Sequence, residues 1–359
     1  MNKSLDYIIV GQGVAGSCFA LKLIQENKSF IIIDQKQNQA SRVAVGVFNA
    51  LVLKRFALIW NAEEQLKWMK IYFEKFENLL QQKLIFNIPT YRILNNNNEI
   101  STWKDKAKRE ELKTFMNEEI VHQPISDAIK TPLGYAEVKQ TGRIDLQKCL
   151  ETFRIYLEKN GQCINEKFEY DELKIDENSV QYKNFNAKNI IFCEGYGIKS
   201  NPYFNYLPVI GVKGEVLKIK TEKPIPEGIW KAKNFLLPVE KNICLTASTY
   251  DRDDLSQQPT EKGKEILTEL LEEIYDGDYE ILEHTAGIRP TVIDRRPLLG
   301  HHPNHKNAFI LNGMGTRGTL LAPQMTEFLF DFIENGIEIT KEANIRRFDP
   351  ILENQINPS

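Results

Sequence analysis

The chain has 359 residues, of which 42% are hydrophobic and 26% are charged, and its formal net charge is −3. This length suggests two domains, and the near-neutral charge gives no indication of a nucleic-acid partner. No run of about 18 apolar residues occurs, so we expect no transmembrane segment. Because the first residues lead directly into a strand pattern, we also expect no signal peptide.

The five cysteines are scattered and lack CxxC spacing. We interpret them as reduced core residues of a cytoplasmic protein. Three histidines cluster at His301, His302 and His305. No cysteine or carboxylate stands beside them at metal-ligand spacing, so we expect no metal site.

The first predicted unit is a βαβ element over residues 6–34. Residues 7–10 form a short apolar run, which is typical of a strand buried on both faces of a parallel sheet. A glycine-rich turn and a helical pattern follow, and a second apolar strand at residues 30–33 ends on Asp34.

Each glycine of the first turn has a predicted role. Gly11 permits the tight turn out of the strand, Gly13 lets a pyrophosphate approach the backbone, and Gly16 lets the helix lie close on the sheet. The helix N-terminus at Val14 and Ala15 presents N–H groups to the phosphates.

Asp34 stands where a carboxylate can accept hydrogen bonds from ribose hydroxyls. The whole unit therefore predicts a dinucleotide site. The alternative is a glycine turn in an ordinary βαβ unit, but that alternative leaves Asp34 unexplained.

The chain then passes through a loop and a helix into a different pattern. Residues 40–46 form a predicted loop whose small side chains allow close backbone approach. Asn61 is expected to cap a long helix, with Glu64 at the capping-box position. From residue 85 we expect short strands, an asparagine turn and a helix at 103–115, whose balanced charges indicate a solvated face.

The middle of the chain alternates between the two kinds of pattern. Asp145 is expected to cap an amphipathic helix, and residues 187–193 are typical of a buried strand. Residues 212–219 and 235–245 are predicted to form antiparallel strands. A further amphipathic helix is expected at 261–275.

A second glycine-rich turn lies near the end of the chain, at residues 312–318. It follows the apolar strand 308–311 and leads into a helix predicted to begin at Thr319. Two such turns suggest a ligand held between two helix N-termini. The alternative is that the second turn only packs tightly.

Together these segments resemble the D-amino-acid oxidase family of flavoproteins, which includes glycine oxidase and sarcosine oxidase. Beyond the first βαβ unit, the resemblance extends over residues 41–47, 189–195 and 212–215. Its most specific part is the segment 286–300, followed by the turn and helix at 313–323. The resemblance covers nearly the whole chain in order.

The resemblance implies an α/β fold in which a Rossmann-like FAD-binding domain accompanies a largely antiparallel α+β substrate domain, discontinuous in sequence. The implied FAD-binding domain consists of residues 1–83, 140–205 and 284–359. The implied substrate-binding domain consists of residues 84–139 and 206–283.

The implied cofactor is non-covalent FAD, because no cysteine follows Cys244 where sarcosine oxidase anchors its flavin. The implied FAD contacts are Gly11, Gly13, Val14, Ala15, Gly16, Asp34, Gln35, Ser41, Arg42, Gly46, Leu173, Cys193, Gly195, Gly287, Gly313, Gly315, Thr316, Arg317, Gly318, Thr319 and Leu320.

The resemblance also implies three catalytic residues. Arg289 falls on the arginine that holds the substrate carboxylate in this family, and a guanidinium fork suits a carboxylate. The alternative is an arginine paired with a neighbouring acid. Phe235 stands where glycine oxidase has a tyrosine, and Tyr250 is the candidate to replace it. Met314 stands where glycine oxidase has a histidine.

The resemblance therefore predicts an oxidoreductase that removes hydride from a carbon bearing an amine, in a small amine or amino acid. The imine product is hydrolysed by water, and oxygen or a quinone reoxidises the flavin. One alternative is a flavin enzyme acting on a modified transfer-RNA base, because residues 316–318 resemble the oxidase half of the bifunctional enzyme that modifies wobble uridines. Another is a non-catalytic nucleotide-binding protein, against which residues 313–318 argue.

Overall fold

A computed structural model describes residues 3–36, 40–349 and 351 of the chain. Two eight-stranded sheets dominate this part, and a three-stranded sheet and a two-stranded hairpin accompany them. The strands are β1 (Lys3–Val10), β2 (Phe30–Ile33), β3 (Val47–Phe48), β4 (Leu51–Val52), β5 (Ala57–Leu58), β6 (Ile85–Asn87), β7 (Thr90–Ile93), β8 (Met116–Val121), β9 (Tyr135–Val138), β10 (Gly142–Ile144), β11 (Cys163–Ile164), β12 (Leu173–Ile175), β13 (Val180–Tyr182), β14 (Phe185–Phe192), β15 (Val209–Thr221), β16 (Ile229–Lys231), β17 (Phe235–Glu240), β18 (Ile243–Ala247), β19 (Tyr279–Val292), β20 (Leu298–His302) and β21 (His305–Asn312).

Helices connect these strands. The α-helices are α1 (Val14–Gln25), α2 (Ala40–Val43), α3 (Ala62–Leu80), α4 (Asn97–Ala107), α5 (Leu146–Lys159), α6 (Glu261–Glu272) and α7 (Gly318–Asn335). Short 3₁₀ helices lie at Tyr170–Glu172, Gly195–Ser200 and Ile345–Phe348.

The first large sheet has a parallel centre, in the order β11, β2, β1, β14, β21. β20 joins β21 antiparallel, and the β12–β13 hairpin joins the start of β14. Successive residues of β1 point to opposite faces, so that Tyr7 and Ile9 enter one hydrophobic core and Ile8 and Val10 enter another. Burial on both faces explains the continuous apolar runs of these strands, and the predicted βαβ unit is confirmed.

Four helices cover one face of the first sheet. α1, α3, α5 and α7 share a core with β1 and β2. Within α3, the buried side chains recur every three or four residues, as an amphipathic helix requires; they include Leu66, Met69, Phe73, Phe76 and Leu80.

The second large sheet has the order β19, β15, β18, β17, β16, β7, β9, β8 and is antiparallel except for the β16–β7 pair. α6 packs on it through Leu267 and Leu271. Residues 284–292, which the predicted boundary assigns to the FAD-binding domain, continue β19 along β15. The mixed α/β fold class is as predicted, and the domain boundaries stay a prediction.

Two local predictions were wrong. The charged helix expected at 103–115 is α4, which begins earlier because the Asn96 side chain accepts a hydrogen bond from Glu99 N at 2.9 Å. Residues after Ala107 form turns instead. Asn61 precedes α3 in a left-handed conformation, with φ of 53°, and its side chain makes no capping hydrogen bond.

Candidate active site

A cavity of about 1210 Å³ extends from the turn after β1 to the inner face of the second sheet. Ordinary ligand sites occupy roughly 300–1,000 Å³. The cavity therefore has room for a ligand of dinucleotide size together with a small molecule.

The β1–α1 turn forms one end of this cavity. Gly11 has φ of +98°, and a Cβ atom there would lie 2.6 Å from the carbonyl oxygen of Cys193. A Cβ atom at Gly16 would lie 2.0 Å from the carbonyl oxygen of Gly11. Only glycine permits this approach of α1 to the strand, which is the role that the sequence assigns to Gly16.

Ser41 joins this turn from α2. Its Oγ accepts a hydrogen bond from Val14 N at 3.1 Å, and a Cβ atom at Gly13 would lie 3.3 Å from the same oxygen. Ser41 thus holds the start of α1 beside the loop that follows β2.

Asp34 ends β2 and has both carboxylate oxygens engaged. Oδ1 accepts from Gln12 N at 3.0 Å, and Oδ2 accepts from Lys36 N at 3.0 Å and from Arg154 Nη1 at 2.7 Å. Arg154 is 1% exposed and also forms an ion pair with Glu158 at 2.7 Å. Asp34 lines the cavity, and its charge is balanced from within the protein. A ribose contact by Asp34 stays a prediction.

Gln12 extends this network beneath the turn. Its buried amide donates to Leu150 O at 3.0 Å and accepts from Arg42 Nη2 at 3.2 Å. Arg42 Nη1 lies 3.9 Å from the Glu151 carboxylate. Arg42, a predicted FAD contact, is therefore directed to Gln12 and Glu151 and does not line the cavity.

Glu194 lies beside the β1–α1 turn, directly after Cys193. Its carboxylate accepts hydrogen bonds from the Tyr170 hydroxyl and, at 2.6 Å, from Asn201 Nδ2. Burial raises the pKa of Glu194 to about 7, although both hydrogen bonds act in the opposite direction. Glu194 thus changes charge near neutral pH.

Arg289 lies at the other end of the cavity, on β19. Its guanidinium lies over Gly214 of β15, where a Cβ atom would be 1.7 Å from Nη2. Nη1 donates to the carbonyl oxygens of Lys213 and Thr249 at 3.3 and 3.2 Å. Burial lowers the pKa of Arg289, and among the described residues no carboxylate lies within 4.0 Å of its nitrogens. The described part of the chain thus offers no acid for the alternative of a structural ion pair.

Tyr250 flanks this arginine, with its ring centroid 4.8 Å from Arg289 Cζ. The segment that carries Tyr250 is fastened to β15 by two backbone hydrogen bonds between Asp251 and Lys213, at 2.8 and 3.1 Å. The fully buried ammonium of Lys213 also donates to Asp254 at 2.5 Å. Lys213 therefore positions Tyr250 without lining the cavity itself.

The second glycine turn closes this end of the cavity. Gly313 packs away from the cavity, because a Cβ atom there would lie 2.7 Å from a β19 side chain. Gly315 N donates to Pro290 O at 3.0 Å, which holds the turn against β19. Arg317 Nη2 lies 3.5 Å from Leu51 O. Burial lowers the pKa of Arg317 to about 10.

The cavity brings most of the predicted site residues together. Those that line it are Gly11, Gly13, Val14, Ala15, Asp34, Gln35, Ser41, Gly46, Cys193, Gly195, Tyr250, Gly287, Arg289, Met314, Gly315, Thr316, Arg317, Gly318, Thr319 and Leu320. Gly16, Arg42, Leu173 and Gly313 do not line it. Leu173 lies in β12 and packs in a hydrophobic core, so the structure gives no support to its prediction as an FAD contact.

Sequence reasoning missed three residues of the site. Arg154 occupies the apolar stripe of α5, and a charged side chain in such a stripe is a signal that was available. Glu194 follows a buried strand directly, which indicates a carboxyl at the end of a sheet. Gly214 gave no signal, because its role depends on the neighbouring strand.

Within the described ranges 3–36, 40–349 and 351, the protein has neither a metal-binding cluster nor a membrane-spanning helix. No group of three or more His, Cys, Asp or Glu side chains there is arranged to hold a metal ion. None of the helices in those ranges has the length and apolar character needed to cross a membrane.

A family model described as FAD dependent oxidoreductase (DAO) matches residues 6–330. Glycine oxidase from Pseudomonas aeruginosa is 27% identical over 142 residues, which is 38% of each protein. The tRNA 5-methylaminomethyl-2-thiouridine biosynthesis bifunctional protein MnmC from Marinobacter nauticus is 25% identical over 135 residues, 34% of this chain and 21% of that protein. These alignments span well under half of each curated relative.

The fold matches solved structures over nearly its full length. The crystal structure of glycine oxidase from Geobacillus kaustophilus superposes with a TM-score of 0.79 and covers 97% of this chain and 98% of that one. The sequence identity is 17%, so this likeness shows the fold alone.

The shape of the cavity fits FAD. The glycine turn has no space for a Cβ atom at Gly11 or Gly16, while the cavity beside it has the size of a dinucleotide and a small molecule. An NAD-binding module does not account for the second glycine turn that lines the opposite end. With the family match over residues 6–330, these observations place the chain in the family of FAD dependent oxidoreductases, with FAD as its cofactor.

Proposed function

We propose that this oxidoreductase oxidises the carbon next to the nitrogen in a small amino acid or N-substituted glycine. The observation that carries this proposal is Arg289, a half-buried guanidinium in the cavity wall whose described hydrogen bonds go only to neutral carbonyl oxygens. A charge that is largely removed from water and has no counter-charge is costly. An anionic ligand therefore completes the site, and a carboxylate matches the guanidinium fork.

The chain's own residues bind and orient the substrate. Arg289 holds the carboxylate, the two carbonyl oxygens of Lys213 and Thr249 fix the guanidinium, and Gly214 leaves space for it. Tyr250 lies against the guanidinium and covers it. Holding one end of a small molecule in this way fixes the direction of its reacting C–H bond.

FAD, when bound, would accept a hydride, and with it two electrons, from the carbon that bears nitrogen, while the nitrogen gives up a proton. The substrate is thereby oxidised to an imine, and water hydrolyses the imine to a carbonyl compound and the free amine. We propose non-covalent binding, with Gly11, Gly13 and Ser41 at the pyrophosphate and the backbone of residues 315–318 at the flavin ring.

None of the described acids in the cavity wall is free to act as a carboxylate base at the carbon that is oxidised. Each of these acids has a partner of its own: Asp34 with Arg154, Glu99 with Arg92, Glu166 with Lys183, Glu273 with Lys233, and Glu194 with Tyr170 and Asn201. Direct hydride transfer from a neutral amine needs no such base, which favours it over a mechanism that begins with carbon deprotonation.

A second candidate is oxidation of a carboxymethylaminomethyl group on a transfer-RNA base, which presents the same N–C–carboxylate unit. The similarity to MnmC favours it. The exposed lysines of the cavity wall count against it, because Lys167 and Lys233 are paired with Glu169 and Glu273. Among the described residues, that leaves Lys54 alone to meet a phosphate backbone. We rank it second.

The location and the electron acceptor also belong to this proposal. All five cysteines are buried and unpaired in disulfides, which supports a cytoplasmic location. Oxygen or a quinone is proposed to reoxidise the flavin.

Anaerobic flavin reduction tests the proposal. Amino acids and N-substituted glycines are mixed singly with the purified holoenzyme, and bleaching of the flavin absorbance is followed. We expect at least one of them to bleach the flavin in seconds to minutes. Bleaching by a carboxymethylaminomethyl-modified transfer RNA, with none by any free amino acid, would replace the first candidate by the second.

A further inference from the structure

The substrate end of the cavity carries more positive charge than one carboxylate can balance. Of the cations that line the cavity, Arg92, Lys167 and Lys233 lie within 4.0 Å of a carboxylate. Among the described residues, no carboxylate lies that close to the other lining cations, which are Lys54, Lys231, Arg289 and Arg317. The acids of the wall do not compensate them, since each is already held by another partner.

Two of these four cations are separated from Arg289 by solvent or by distance. Lys54 is exposed, so water screens its charge. Lys231 lies on β16, three strands from Gly214 along the order β15, β18, β17, β16. Strands are spaced about 4.8 Å apart, so the backbones of Lys231 and Gly214 are about 14 Å apart. The Lys231 ammonium donates to the Lys233 carbonyl oxygen.

Arg317, in contrast, lies on a turn that is hydrogen-bonded to the strand carrying Arg289. The turn that carries it is tied to β19 by the hydrogen bond from Gly315 N to Pro290 O, next to Arg289 itself. Both arginines and Tyr250 line the same cavity, and the Tyr250 ring lies against Arg289, with its centroid 4.8 Å from Cζ. The two charges therefore belong to one end of the cavity, and burial lowers the pKa of both arginines.

Charge balance then selects the substrate. One carboxylate leaves one of the two half-buried guanidinium groups without a counter-charge, and an uncompensated charge that is partly removed from water is costly. A ligand with two anionic groups balances both. This inference rests on the proposed function, since it takes Arg289 as the anchor of the first carboxylate.

We infer that the substrate is a dianion: an amino acid or N-substituted glycine with a second carboxylate, which Arg317 binds while Arg289 binds the first. The second carboxylate lies on the side of Tyr250 nearer to α7 and β4. Arg317 is thus a specificity-determining residue, and it discriminates dicarboxylates from monocarboxylates of the same backbone.

Binding of acetate and malonate to the holoenzyme tests this inference, because malonate is acetate with one further carboxylate. Titration calorimetry at low ionic strength gives the dissociation constants, and the flavin spectrum reports whether the ligand reaches the site. We expect the wild-type enzyme to bind malonate on the order of 10- to 100-fold more tightly than acetate. Arg317→Met should reduce this preference to about threefold or less, and Arg317→Lys should retain part of it.

The matched control is Arg55→Met, the same change at an exposed arginine outside the cavity wall; it should leave the malonate preference unchanged. FAD content is measured first for every variant. If Arg317→Met does not retain FAD, Arg317→Lys and Arg317→Gln carry the comparison.

The outcomes separate the two proposals. If Arg289→Met abolishes acetate binding but wild type shows no preference for malonate, the dianion inference is wrong and the carboxylate anchor stands. If Arg289→Met leaves acetate binding unchanged, or wild type binds neither anion, the anchor itself is wrong. If Arg317→Met shifts the flavin midpoint potential and keeps the malonate preference, Arg317 acts on the flavin and the inference is overturned.

Discussion

The two ends of the cavity are built in opposite ways. At the nucleotide end, backbone and glycines form the surface. The side-chain charges there are balanced within the protein, for example by the ion pair between Asp34 and Arg154. At the substrate end, Arg289 and Arg317 are half-buried with only carbonyl oxygens as described hydrogen-bond partners. The charges of the first end are balanced before a ligand arrives, whereas in our proposal the second end takes its counter-charge from the ligand.

This difference predicts where substitutions act. At the nucleotide end they should change the free energy of unfolding together with FAD retention. At the substrate end they should change binding and turnover and leave the fold intact.

The largest effect on the fold is expected at Arg154. Arg154→Met removes the guanidinium that pairs with the buried Asp34 carboxylate at 2.7 Å, so the free energy of unfolding should fall by about 3–5 kcal/mol. Urea unfolding of the holoenzyme and of the FAD-free protein measures this. Replacing both partners, in Asp34→Asn with Arg154→Met, should recover part of the loss.

The control for this prediction is Arg109→Met, which breaks an exposed ion pair with Asp105 on the surface. That change should cost under about 1 kcal/mol. Equal losses of unfolding free energy in Arg154→Met and Arg109→Met would show that the Asp34–Arg154 pair stabilises the fold no more than an exposed ion pair does.

A smaller effect on the fold is expected at Gly16. Gly16→Ala puts a methyl group 2.0 Å from the Gly11 carbonyl oxygen, so α1 must move away from β1. We expect a loss of about 2–3 kcal/mol in the free energy of unfolding and weaker FAD retention. Gly197→Ala is the control, because its nearest neighbour would lie at 3.7 Å. Retention of FAD at the wild-type level by Gly16→Ala would contradict the claim that FAD binding needs the close approach of α1 to β1 at Gly16.

The smallest effect is expected at Glu194 and depends on pH. Its pKa is about 7 in the folded protein, above the ordinary value of 4.5. The folded state therefore binds a proton that the unfolded state releases, so this contribution to stability is full below about pH 4.5 and is lost as the pH rises through about 7. The two pKa values alone give about 2.5 kcal/mol between pH 5 and pH 8. Because Glu194 is partly exposed, solvent screening reduces this, and relative to Glu194→Gln the wild type should lose about 1–2 kcal/mol. Unfolding curves with parallel pH dependence in the two proteins would show that Glu194 does not titrate in this range.

The sequence predicted the nucleotide end better than the substrate end, and the reason is physical. A βαβ unit is local, so apolar runs, glycines and Asp34 appear in one stretch of 29 residues, 6–34. The setting of Arg289 depends on Gly214 of β15 and on Thr249, which lies in the segment after β18. Neither contact has a pattern in the linear sequence. Arg289 itself was found only through the resemblance to a known family.

The same limit applies to single residues in predicted elements. Leu173 was assigned to the cofactor, but its strand directs it into a hydrophobic core. Arg154 was passed over because a helix pattern shows which face is buried and does not show which strand end that face meets. The pairing with Asp34 joins residues 120 positions apart.

The role of Arg289 is tested most directly by anaerobic flavin reduction with two matched substrates, the best amino acid of the screen and its carboxamide. Arg289→Ala should retain the fold and FAD and should lower kcat/KM for the acid by roughly 10²–10³-fold, as the loss of a buried charge pair implies. Its kcat/KM for the carboxamide should stay within about threefold of wild type, and Arg289→Lys should recover only part of the acid's rate. An equal loss for acid and carboxamide, or a lowered melting temperature with unchanged preference for the acid, would contradict the assignment of Arg289 as the carboxylate anchor.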